Sequence, residues 1–86
     1  MTDPEMSALR ARAEVGDADA ADQLIEYAAE HGDLATLERL ANQGNATATD
    51  QLIESAAEQG DLTVLERLVA QGNRTAAEVL EEINEG

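Results

Sequence analysis

Carboxylates are the groups with which this chain could do chemistry. Nineteen acidic residues stand against five arginines, no lysine and a single histidine, for a net charge of -14. Glu26, Glu54 and Glu82 recur at intervals of 28 residues, and Glu30 and Glu58 repeat the same interval. Carboxylates so distant in sequence do not make an acid/base dyad. On helices stacked about 8–10 Å apart they make a ladder along one face. Such a ladder is either a solvated surface or an electrostatic docking strip for a basic partner.

The remaining reactive types lack companions. His31 stands beside Gly32 at the end of a helical stretch, where a partial positive charge suits the helix dipole. A metal ligand or general base needs partners, and Glu30 and Asp33 are only its chain neighbours. Asp17, Asp19 and Asp22 invite a calcium reading, but an EF-hand loop wants a third ligand and a glycine where Ala21 and Asp22 stand. Helix capping accounts for these aspartates. Ser7 and Ser55 have no His, Lys or Cys to activate them, and each glycine stands alone, so no phosphate-cradling loop forms. Neither catalysis, a metal nor a cofactor is expected.

Without cysteine the chain has no disulfide, thiolate or cysteine-held zinc, which suits a reducing, cytoplasmic setting. No apolar run reaches the roughly 18 residues of a membrane span, and the acidic opening MTDPEMSALR does not read as a signal peptide. The negative surface repels phosphate backbones and anionic lipids, so direct nucleic-acid or membrane binding is disfavoured. Tyr27 is the one aromatic residue. The core must therefore come from Ala, Leu, Ile and Val, and stacking platforms for single-stranded nucleic acid are lacking.

The elements that position these groups follow from an internal repeat. Sliding the sequence by 28 residues lays Asp22–Ala48 on Asp50–Ala76 with about twenty identities. Met6, Leu9, Ala13 and Gly16 fall on Leu34, Leu37, Ala41 and Gly44, then on Leu62, Leu65, Val69 and Gly72. Residues 1–86 thus read as a single domain of three units, near 5–32, 33–60 and 61–86. Each unit predicts two helices. The first has one apolar face, Leu34, Leu37, Leu40 and Ala41, opened by an N-cap at Asp33 and closed at Gly44. The second buries Ala20, Leu24, Ile25, Ala28 and Ala29, or their equivalents, and ends at Gly32 or Gly60. Thr75 with Glu78 matches a capping box, which places the start of the second helix near Asp19, Thr47 and Thr75.

The expected fold is all-α: a short α-solenoid of three antiparallel helical hairpins, six helices in all. The places where the repeat fails support it. Leu40 and Leu68 become Arg12 in the first unit, and Ile25 and Ile53 become Glu81 in the last, as a complete, capped three-unit array would require. Gln23 and Gln51 give way to Val79, and Tyr27 and Ser55 to Ile83. With Leu80, these residues either tuck the last helix more deeply or form an apolar interface.

The phrase AAEHGDLATLERLANQGN and the pattern Leu9, Ala13, Gly16, Asp17, Ala20, Ala21, Leu24 resemble the Ala/Leu/Asp-rich 28-residue helical repeats common in actinobacterial proteins. The resemblance covers nearly the whole chain. More distantly, the units are similar to tetratricopeptide and ankyrin helical hairpins. The resemblance implies a helical-repeat fold and protein–protein interaction, with no catalytic residues to transfer. The expectation is a non-enzymatic interaction module with a strongly acidic surface, whose partner is a protein, a basic one if the strip docks it. The alternatives are a structural homo-oligomer, such as a homodimer through Val79, Leu80 and Ile83, and an acidic nucleic-acid mimic.

Overall fold

In the computed structural model, which describes residues 3–85, the chain is all-α. Its six helices are α1 (Asp3–Glu14), α2 (Ala18–His31), α3 (Leu34–Asn42), α4 (Ala46–Gln59), α5 (Leu62–Ala70) and α6 (Arg74–Glu85). Connections of two or three residues separate them, and among the described residues there is no strand.

Local chemistry sets the boundaries. Gly32 and Gly60 end α2 and α4 in the left-handed conformation, at φ 65° and 69°. There the Asp33 and Asp61 amides turn back to donate to the Ala28 and Ala56 carbonyls, at 2.8 and 2.9 Å. Asp33 caps the next helix at once: its Oδ1 accepts from the Thr36 amide at 3.1 Å and its Oδ2 from the Thr36 hydroxyl at 2.7 Å. Asp61 repeats the backbone half of this cap with Val64.

The second helix of each unit starts earlier than its capping-box pattern suggests. The caps are Asp17, Asn45 and Asn73, whose side chains accept from the amides of Ala20, Ala48 and Ala76. Each follows directly on a glycine with φ between 90° and 94°. The Gly–Asx pair turns the chain and caps the next helix directly, so Asp19, Thr47 and Thr75 lie inside the first turn.

Two rows of helices result. Besides the partners within each unit, α2 packs on α3 and α4, and α4 packs on α5 and α6. By contrast the backbones of α1, α3 and α5 do not come close to one another. Small residues explain the close row: Ala20, Ala28, Ala48, Ala56 and Ala76 are wholly buried, so backbones come near where no long side chain intervenes. Leu24, Leu37, Leu52 and Leu65, also fully buried, fill the space between the rows. The order of packing, and the dimensions of 42 × 22 × 16 Å, are compatible with a short solenoid.

Candidate functional site

The close row α2–α4–α6 carries most of the charge. Asp22, Glu26 and Glu30 follow one another at i, i+4 and i+8 along α2, and Asp50, Glu54 and Glu58 do so along α4. Glu78 and Glu82 continue the pattern on α6. This spacing places each set on one side of its helix, about 5–6 Å apart between Cβ atoms. All eight are exposed. Altogether eleven of the nineteen acidic residues stand on these three helices, beside one arginine, Arg74. The other row holds five acids and four arginines, which leaves it close to neutral.

Between α2 and α4 the acidic face is grooved. Asp22, Glu26 and Glu30 line one wall, Thr47 and Gln51 the other, and Ile25 with Ala29 line it as well, around about 700 Å³. Two residues of the expected strip, Glu26 and Glu30, therefore meet in one concavity. Glu54 and Glu58 stand on the next helix and Glu82 on the one after. The expected strip left out Asp22, although Asp50 and Glu78 repeat it at the same 28-residue interval and it stands four residues before Glu26.

The other candidate residues sit as follows. Val79 and Leu80 are half-buried and pack against the core, which leaves Ile83, at 37% exposure, as the open member of the apolar set. Glu81, standing where Ile53 is buried in the preceding unit, is exposed. Arg12, in the place of Leu40, turns to Asp17: its Nε donates to Oδ2 at 2.9 Å. Asp17 is held below the usual carboxylate range by the Ala20 amide first and by Arg12 next. Asp19 and Asp22 lie along α2 and do not converge with it. His31 is exposed at the end of α2, its ring tilted against Tyr27 with centroids 4.3 Å apart.

Ties between units run through surface side chains. Gln59 Nε2 donates to the Gly32 carbonyl at 2.9 Å, joining the end of α4 to the end of α2. Arg67 on α5 pairs with Glu38 on α3 across the open row. The Glu–Arg doublets of α3 and α5 thus serve partly as a bridge between units. Comparison with protein-family models, curated proteins and solved structures yields no match.

Proposed function

We propose that the chain is a non-enzymatic helical-repeat module, a short α-solenoid of 28-residue units, that binds a basic protein partner on its α2–α4–α6 face. The observation that carries this reading is the segregation of charge. Eleven acids and one arginine occupy one row, while five acids and four arginines occupy the other. Fold stability gives no reason for such a division, because like charges at i, i+4 destabilise a helix. A partner rich in Arg or Lys would be drawn to this face and aligned by it, with an association rate that falls as salt rises. The same field disfavours nucleic acid and anionic membrane. No helix among the described residues is long and apolar enough to cross a membrane.

The test is titration of the protein with an arginine-rich peptide at low and moderate salt, beside a Glu26→Gln/Glu54→Gln/Glu82→Gln variant. The proposal expects binding that weakens at least tenfold in the variant and shifts amides along α2 and α4. An equal affinity in both proteins, or shifts confined to α1, α3 and α5, would remove the acidic face from consideration. The homo-oligomer reading has a narrower basis, Ile83 alone, and is checked by the solution mass of an Ile83→Ser variant. An unaltered monomer in both forms sinks it.

A further inference from the structure

The groove between α2 and α4 has an apolar base and two unlike edges. Ile25, at 3% exposure, and the half-buried Ala29 form the base, whereas Asp22, Glu26 and Glu30 stand exposed along the α2 edge. The α4 edge holds Thr47 and the half-buried Gln51, four residues apart like the acids. Among the described residues the ion pairs within 4 Å are Arg12 with Asp17 and Arg67 with Glu38, and neither engages the three acids. One edge is therefore wholly acidic and the other uncharged but able to hydrogen-bond.

The dimensions select the shape of an occupant. From Asp22 to Glu30 the helix advances about 12 Å, at about 1.5 Å per residue. Spread over that length, the groove's volume of about 700 Å³ gives a mean cross-section of about 60 Å². An extended strand, about 5 Å by 10 Å in section, fits within it. A helix is about 10–12 Å across with its side chains, so it would rest on the edges and leave the base unfilled. The periods agree as well. Successive acids advance about 6 Å and alternate residues of a strand about 6.6 Å, so three basic side chains keep register with three carboxylates.

A strand also presents the right groups in the right directions. Its side chains alternate between two faces, so small apolar residues on one face meet Ile25 and Ala29 while the residues between them stand at the level of the exposed carboxylates. Its backbone edge then faces α4, where the Thr47 hydroxyl and Gln51 amide offer partners to unpaired N–H and C=O groups. A helix has already used those groups internally.

We propose that this groove binds an extended segment of the partner, lying along α2, in which arginine or lysine alternates with small apolar residues. The inference rests on the acidic face being the binding face and adds the conformation and sequence pattern that the face selects. The repeat supplies a control substitution. On α6, Thr75 and Val79 stand where α4 has Thr47 and Gln51, so valine is a native residue at this position of the unit. Gln51→Val keeps every acid of the groove and removes one hydrogen-bonding amide.

Chemical-shift titration of isotope-labelled protein at low salt compares three capped peptides of equal length and charge. The first carries Arg-Val-Arg-Val-Arg between serines. The second has the same composition with its three arginines contiguous, and the third is an alanine-based helix with three arginines four residues apart. The alternating peptide is expected to bind at least fivefold tighter than the other two and to shift the amides of Ile25, Ala29, Thr47 and Gln51. Gln51→Val should weaken it at least threefold while leaving the other two unchanged; if that variant loses helical circular-dichroism signal, Thr47→Ala serves in its place. Equal affinity for all three peptides, preference for the helical one, or an alternating peptide indifferent to the substitution would overturn the extended segment and leave the acidic face standing. If none of the three binds, the acidic face itself falls, and this inference with it.

Discussion

A single carboxylate at Asp17 satisfies two groups: Oδ1 accepts from the Ala20 amide and Oδ2 from Arg12. Its equivalents, Asn45 and Asn73, make only the amide bond. Asp17→Asn is therefore expected to keep the cap and release Arg12, with a melting temperature close to that of the parent. Asp33 is less replaceable. Partial burial raises its pKa, but the Thr36 hydroxyl and amide, with Arg10, bring it below the usual value. Asp33→Ala removes both bonds and leaves the buried Thr36 without its acceptor, so a loss of about 1 kcal/mol is expected by denaturant melting. Both carboxyls titrate lower folded than unfolded. Their contributions are fully present above the unfolded value of 3.8 and disappear as pH falls through the lower folded values. Carboxyl titrations followed by NMR beside melting curves between pH 5 and 2 check that window.

Helices here are joined by turns that admit little substitution, and the two glycines that end α2 and α4 make a controlled comparison. Both have φ near 65–69°, where an alanine is strained by roughly 1 kcal/mol. An added Cβ on Gly60 meets open space, whereas on Gly32 it lies 2.7 Å from Gln59 Nε2. Gly32→Ala should therefore destabilise more than Gly60→Ala, since it also displaces the Gln59 side chain from the Gly32 carbonyl. In a Gln59→Ala background the excess should vanish; a surviving excess would locate the cost elsewhere than in this tie. The glycines themselves were legible in the sequence because a left-handed helix end is a one-residue requirement. So were the Asp33 and Asp61 caps and the leucine faces, which depend on spacing within one helix. The starts of α2, α4 and α6 were misplaced by about two residues, because Thr75 with Glu78 satisfies a genuine capping pattern yet Asn73, directly behind Gly72, reaches the amide first. The Gln59–Gly32 and Arg67–Glu38 ties span 27 and 29 residues and depend on how far apart neighbouring units settle, which no local spacing encodes. For the acidic site the strip was legible and the groove was not: exposure follows from the period of the acids, but concavity follows from how the alanines let α2 and α4 approach.

At the scale of the whole molecule, the alanine row that brings α2, α4 and α6 together also brings their carboxylates together. Ala56 is wholly buried, so Ala56→Leu should overpack the row and cost about 1–3 kcal/mol by denaturant melting. The electrostatic consequence runs the other way from most surface charge. Along α4 there is no basic residue to offset Asp50, Glu54 and Glu58, so their repulsion acts in the folded state and is weakened by counterions. Thermal stability should then rise as salt increases from about 0.01 to 0.5 M, since the Debye length shrinks from about 30 Å to under 10 Å. Glu26→Gln/Glu54→Gln/Glu82→Gln should mimic salt, melting several degrees higher at low ionic strength and showing a smaller salt dependence. That outcome bears on function, because the same substitutions are expected to weaken the basic peptide. If the carboxylates served the fold, their removal would lower stability; gaining stability while losing the ligand is the signature of charges held in place for a partner. Melting curves and peptide titrations on the same two proteins decide it, and a variant that melts lower than the parent at low salt would return the acidic face to a structural role.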